Sequence, residues 1–290
     1  MGKVVKKWFP LFALPTFAAF VIAFLAPFFM GLYLSFCKYQ SISNPEFVGI
    51  DNYLYIFGLG KFENIGDKTF LPALWFTTKF TIVSVLTINV VAFFLASMLT
   101  KSLKGTNIFR TVFFMPNLIG GVVLGYIWQM IINGLLKALG LGVMQNNADY
   151  GFWGLVILMN WQMIGYMMII YISGIQNVSP DLLEAADIDG ATKAQKLFNV
   201  TLPQIMPSIT ICLFLTLTNS FRLYDQNYSL TDGMPAGQTR MVALDIVKTY
   251  EQGKSFYHGI GQAKAVIFSI LVAAIALTQL YLTRSKEVES

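Results

Sequence analysis

Two groups of side chains carry whatever chemistry this chain can do. Asn160, Trp161, Gln162 and Tyr166 form one, and Thr216, Thr218, Asn219, Ser220, Arg222, Tyr224 and Asp225 form the other. Amides and hydroxyls beside aromatic rings suit a polyhydroxylated ligand. The polar groups pair with its oxygens, and the rings cover its flatter apolar faces. The bland alternative is helix-to-helix bonding, the usual work of buried Asn, Gln, Ser and Thr. The candidate ligand-binding residues are Asn160, Gln162, Tyr166, Thr216, Asn219, Ser220, Tyr224 and Asp225. Arg222 and Asp225 could instead form an outer gate. Asn89 and the pair Trp128-Gln129 could line a pathway, although packing explains them as well.

Bond-making chemistry has no comparable support. His258 is the only histidine and is expected to be solvated in a loop. Cys37 and Cys212 stand far apart in apolar stretches and read as free thiols, so no metal site is expected. No His-rich, paired-Asp or Ser-Lys constellation lies in an apolar run, which argues against an intramembrane enzyme. Gly253-Lys254-Ser255 imitates the end of a phosphate loop, but Lys248 stands where the motif needs glycine. No nucleotide or other cofactor is therefore expected on this chain. No long basic run marks a nucleic-acid surface, despite a net charge of +5.

The elements that must position these side chains are membrane helices. Of the 290 residues, 56% are hydrophobic and only 12% charged, against about 25% charged in an ordinary soluble domain. Six apolar runs, near 11–36, 76–99, 112–132, 152–175, 205–221 and 265–282, are long enough to cross a bilayer. Lipid cannot satisfy exposed backbone amides, and the runs do not alternate as barrel strands would, so each is expected to be a helix. The first run is too long for a cleaved signal and reads as a retained anchor. Pro15, Pro27, Pro116 and Pro207 are expected to kink or start helices. Gly120, Gly121 and Gly125 are expected to allow close helix contact.

Orientation follows from lysine and arginine. The N-terminal tail (Lys3, Lys6, Lys7) and the link carrying Lys101, Lys104 and Arg110 contain no acid, so both are expected to face the cytoplasm. The C-terminus, with Arg284 and Lys286, is then inside too, and the segments 38–75 and 222–264 are outer loops. The expected organisation is an N-terminal tail, first helix and outer loop (1–75), a five-helix core (76–283) and a short tail (284–290).

Residues 179–203 form the longest loop expected on the inner face. Ser179 suits an N-cap, Pro180 the first helical position and Asp181 the positive dipole end. Leu182, Ala185 and Ala186 share a face at helical spacing, and Gly190 can end the helix in the left-handed conformation. A second short helix is expected over 191–199 with Leu197 as a buried anchor, before Leu202-Pro203 breaks the chain. Such a hairpin could simply lie on the membrane, or it could present Glu184 and its small alanines to a partner.

Glu184-Ala185-Ala186, Asp189-Gly190-Ala191, Phe198, Val200, Leu202 and Pro203 resemble the EAA loop of binding-protein-dependent ABC-transporter permeases, with Val200 where isoleucine is usual. The run from Phe47 to Tyr53, Arg110 with Phe113 to Pro116, and Thr231 to Pro235 are similar to the carbohydrate-uptake subfamily. Within it the chain looks like the larger maltose-importer permease without that subunit's extra N-terminal helices and outer domain. The resemblance implies an all-α membrane fold in a bacterial or archaeal cytoplasmic membrane. It also implies a second permease subunit, two ATPase subunits that bind ATP and Mg, an extracytoplasmic solute-binding protein and a carbohydrate substrate. Glu184, Ala185, Ala186, Asp189, Gly190, Leu202 and Pro203 would couple to the ATPase. Alternatives are another polar solute such as a glycerol phosphate, or ion-coupled transport, against which the near absence of ionisable residues deep in the spans counts.

Overall fold

A computed structural model describes residues 13–39, 41, 43–59, 67–100, 105–252 and 255–284, the side chains of 255–257 excepted. Lys3, Lys6, Lys7, Lys101, Lys104, Gly253, Lys254 and Lys286 lie outside the described residues. Among the described residues the regular structure is helical apart from one two-stranded hairpin. In order, its elements are α1 (Ala13–Leu34), β1 (Cys37–Lys38), β2 (Glu46–Phe47), α2 (Asp51–Ile56), α3 (Phe70–Leu99), α4 (Thr106–Phe114), α5 (Gly121–Ala138) and α6 (Ala148–Gln176). They continue with α7 (Pro180–Ile188), α8 (Lys193–Gln204), α9 (Met206–Phe221), α10 (Asp225–Leu230), α11 (Val242–Glu251) and α12 (Ser255–Arg284). Five of these helices are long and apolar enough to cross a membrane, and α8 with α9, bent by 71°, would make a sixth.

Several boundaries differ from the sequence expectation, each for a local reason. The third run is not one helix. Pro116 lacks an amide proton and sits in a 3-10 turn (Met115–Leu118), and Ile119 and Gly120 are extended before α5 begins. The last helix starts at Ser255 rather than near 265, so His258 and Lys264 are helical. The segment 38–75 holds the hairpin and α2, and 222–264 holds α10 and α11. In the hairpin Cys37 pairs with Phe47 and Lys38 with Glu46.

The chain divides into two compact units. One joins the described residues up to Phe70 with Ile246–Ser269. Its α1 is apolar along its length, and only Gly31 and Leu34 are buried in its last nine residues. Asn52 ties the hairpin by donating to the Ser35 and Cys37 carbonyls at 2.8 and 3.0 Å. His258 is half-buried rather than solvated, because its ring packs on Tyr39 and Tyr250 at 5.7 and 5.8 Å. Lys264 is buried in the same unit and bonds Asp67 at 2.5 Å, Thr249 at 2.9 Å and Thr69 at 3.2 Å. Asp67 also accepts from the Thr69 and Phe70 amides at 2.7 and 3.2 Å.

The second unit joins Leu71–Asp245 with the described residues from Ile270. Its axis is α6, whose Leu155, Leu158, Met159, Met167 and Met168 are almost fully buried against Phe80 and Ile88 of α3 and Leu124 of α5. Cys37 and Cys212 are free and buried.

The Asp67–Lys264 pair yields a test. Burial alone would raise the Asp67 pKa, but the Lys264 ammonium and the Thr69 bonds outweigh it and hold the carboxyl below its ordinary value. A depressed aspartate stabilises the fold above its unfolded pKa of about 3.9. That contribution is lost as pH falls below this value and through the lower folded one. Asp67→Leu removes the carboxylate that the buried Lys264 ammonium bonds, which should cost about 3–5 kcal/mol at neutral pH. The double variant Asp67→Leu with Lys264→Met should recover most of it. Thermal unfolding in detergent as a function of pH checks both statements.

Candidate functional site

A cavity of about 520 Å³ opens in the second unit where three helix irregularities meet. The 3-10 turn contributes Asn117. One stripe of α6 contributes Met159, Gln162, Met163 and Tyr166, spaced i, i+3, i+4, i+7 so that all four face the same way. The end of α9 and the start of α10 contribute Asn219, Arg222, Leu223, Tyr224, Asp225 and Gln226.

The wall is held by hydrogen bonds that repair the irregular backbone. Gln162 Nε2 donates to the Ile119 carbonyl at 3.2 Å, and Gln226 Nε2 donates to Gln162 Oε1 at 2.7 Å. Gln129 donates to the Leu230 and Ser229 carbonyls at 2.8 and 3.3 Å, so it packs α5 on the end of α10. Asn227, fully buried, is the hub of the turn-rich segment after α10. It accepts from the Met241 amide at 2.9 Å and donates to the Thr239 carbonyl at 2.8 Å. The helices α5 and α10 approach closely because α5 has glycine at the crossing. A Cβ on Gly121 would lie 2.7 Å from Asp225 Cβ, and one on Gly125 would overlap the Ser229 hydroxyl.

Of the ligand candidates, Gln162, Tyr166, Asn219, Tyr224 and Asp225 line the cavity. Asn160, Thr216 and Ser220 do not. Asn160 turns back to the Val156 carbonyl of its own helix at 2.8 Å. Thr216 is fully buried and accepts from Asn89 at 2.9 Å, while Asn89 accepts from Tyr171 at 2.8 Å. Thr216 and Asn89 are thus helix-to-helix connectors that link α3, α6 and α9, whereas Asn160 bonds within its own helix. Ser220 is also fully buried, and its hydroxyl has no hydrogen-bond partner among the described residues. Trp128 packs edge-on against Trp161. The lining residues Asn117, Met159, Met163, Leu223 and Gln226 were outside the sequence-based set. The stripe spacing around Gln162 could have revealed the two methionines. Nothing local marked Asn117.

The loop after α6 has the expected shape with altered details. Ser179 precedes Pro180 at the cap position, but its side chain makes no capping bond. Gly190 has φ +76°, the left-handed value that ends α7. Thr192 and Gln195 form a reciprocal capping box that starts α8. Lys196 closes the hairpin by pairing with Asp187 at 2.5 Å. The second helix runs past Asn199 through a π turn (Leu197–Thr201), and Leu202-Pro203 stay helical, so the break falls at Ile205. Leu197 is half-buried rather than a buried anchor. Ala186 is partly covered, and Glu184, Ala185 and Asp189 are exposed. Ile188 and Phe198 leave 87% and 65% of their surface open.

Known proteins with these features can be set beside the chain. Residues 88–287 match the family described as binding-protein-dependent transport system inner membrane component. The chain is 41% identical to the probable starch degradation products transport system permease AmyD of Thermoanaerobacterium thermosulfurigenes, over 97% of this chain and 96% of that one. It is 30% identical to the multiple sugar-binding transport system permease MsmF of Streptococcus mutans, over 98% of this chain and 97% of that one. A solved bacterial ABC transporter involved in the import of the acidic polysaccharide alginate contains a chain of the same fold. That chain has a TM-score of 0.79, 22% identity and 98% coverage of both chains.

The glycine contacts predict opposite outcomes on one helix. Gly125→Ala places a methyl group on Ser229 and should destabilise by about 1–3 kcal/mol. Gly134, with nothing within 4 Å of an added Cβ, should gain about 0.5–1 kcal/mol as Gly134→Ala. Thermal unfolding of the two variants in the same detergent decides.

Proposed function

The chain belongs to the family of binding-protein-dependent transport system inner membrane components, and from that premise we propose that it is the carbohydrate-translocating permease subunit of an ATP-driven importer. The observation that carries the substrate class is the cavity wall. It offers three amide side chains, from Asn117, Gln162 and Asn219, with a fourth from Gln226, beside the rings of Tyr166 and Tyr224. Arg222 and Asp225 add one charge of each sign. A wall without net charge suits a neutral polyol better than a phosphate ester. The names of the two permease relatives, starch degradation products and multiple sugars, agree with that class.

The subunit itself makes and breaks no bonds. It sits as a multi-pass protein in the cytoplasmic membrane of its cell, with both termini inside, beside a second permease subunit. Two ATPase subunits bind ATP and Mg below, and a solute-binding protein delivers sugar from outside. The coupling element is the hairpin 179–203. The Glu184 carboxylate makes no ion pair among the described residues, which leaves it for a partner's cation. Ile188 and Phe198 are apolar side chains too exposed for an isolated polar hairpin, which marks a protein contact. The Asp187–Lys196 pair links the two helices of the hairpin, and the capping box fixes the start of the second. Its force reaches the cavity through α9, which only Ile205 separates from α8 and whose last turn and C-cap carry Asn219 and Arg222. Binding protein and ATP shift the subunit to its outward-open state only because each has higher affinity for that state.

Gly190→Val tests the coupling role. A β-branched residue at φ +76° costs about 1–2 kcal/mol locally, and the space around Gly190 is open, so insertion should survive while the hairpin changes shape. Gly190→Val and Glu184→Ala should both reduce co-purification of the ATPase and lower ATP-dependent sugar uptake at least tenfold. Full uptake with normal co-purification in both variants would refute the assignment.

A further inference from the structure

The cavity contains an amide chain whose direction is fixed by its far end. The first hydrogen bond of α5 runs from the Leu124 amide to the Gly120 carbonyl. The Ile119 carbonyl therefore lies just outside the helical ladder. A carbonyl can only accept, so Gln162 must turn its NH2 group toward Ile119 and its oxygen away. That oxygen can be satisfied only by a donor, and Gln226 supplies its NH2 at 2.7 Å. Gln226 is left with Oε1 as the loose end of the chain. Among the described residues no group donates to this oxygen. The residue is only 9% exposed, yet it lines the cavity, and its oxygen is not sealed from it. Gly121 lets the Gln226 amide lie against α5, where a Cβ would come within 3.0 Å of it.

We infer that Gln226 is a specificity-determining residue whose Oε1 accepts a hydrogen bond from one hydroxyl of the translocated carbohydrate, with Gln162 as the positioning residue that fixes its direction. The inference rests on the carbohydrate reading of the cavity and adds a polarity to it. A free amide can rotate to serve either a donor or an acceptor, but this one is committed to receiving a hydrogen. A ligand that places an acceptor there, such as an ether oxygen or a carboxylate, would meet an oxygen and be disfavoured. A ligand hydroxyl supplies the missing proton.

The test uses the complete assembly of both permeases and the ATPases, in detergent and without the binding protein, whose own affinity would mask the cavity. Equilibrium binding is measured for a panel of gluco-, xylo- and arabino-oligosaccharides, then for the monodeoxy derivatives of the tightest ligand. Gln226→Met, close in shape and without an acceptor, should weaken that ligand roughly three- to tenfold, the range of one net hydrogen bond. Against one monodeoxy derivative the difference from wild type should vanish, which a packing role would not produce. Wild type should discriminate against that derivative, and Gln226→Met should lose the discrimination. Gln162→Met should blur it. Unchanged affinity in Gln226→Met, or an equal loss for every derivative, overturns the role of Gln226 and leaves the carbohydrate reading standing. A wild-type assembly that binds no member of the panel overturns the carbohydrate reading itself.

Discussion

Lipid supplies no hydrogen bonds, so a chain that crosses it must satisfy every backbone amide and carbonyl from within. Unbroken helices do this at no cost in side chains. This chain interrupts its helices at Ile119-Gly120, at Ile205, at Leu223-Tyr224 and again beyond α10. Side chains repair the exposed groups. Gln162 serves the Ile119 carbonyl, Gln129 the Leu230 carbonyl, Asn227 the Met241 amide, Thr77 the Val242 amide at 3.0 Å and Arg110 the Leu99 carbonyl at 3.0 Å. A buried group left unmet costs several kcal/mol, more than any single packing contact contributes. The position of each repairing residue is therefore dictated by the break it serves.

The cavity grows from the same breaks. Where a helix stops, backbone and short polar side chains replace a continuous apolar surface, and a polar solute can approach. Gln162 serves both purposes, because it completes the backbone at Ile119 and forms part of the wall, and Gln226 holds it there. Such a wall is pre-organised, since its side chains are already bonded before any solute arrives. A rotation at the Ile205 bend would move α9 and carry Asn219 and Arg222 with it. A helix that merely spanned the membrane would offer neither property.

Much of this was legible in the sequence, and the remainder was hidden for physical reasons. Long apolar runs marked the spans as helices, because lipid permits little else, and their expected number of six is reached in the structure only if the bent pair α8–α9 is one span. The Gly190 turn was readable because few residues other than glycine adopt that backbone angle. The polar clusters of α6 and α9 stood out against apolar neighbours, and the structure brings Gln162, Tyr166, Asn219, Tyr224 and Asp225 to one cavity. Thr216 and Ser220 were indistinguishable from these by type. What separates them is which neighbour each helix face meets, a tertiary fact. The break at Ile119 and the burial of Lys264 escaped for a related reason. A run of apolar residues hides a local stop, and a lysine at a run's edge looks solvated until Asp67 is found beside it.

Energy source and solute together decide the account. Proteoliposomes holding the full assembly, with the binding protein outside and labelled oligosaccharide as the cargo, separate the possibilities. The account predicts accumulation that requires ATP at the ATPase face and the binding protein at the other, and that continues when ion gradients are collapsed. Accumulation that persists without ATP and stops with the ion gradient would contradict it.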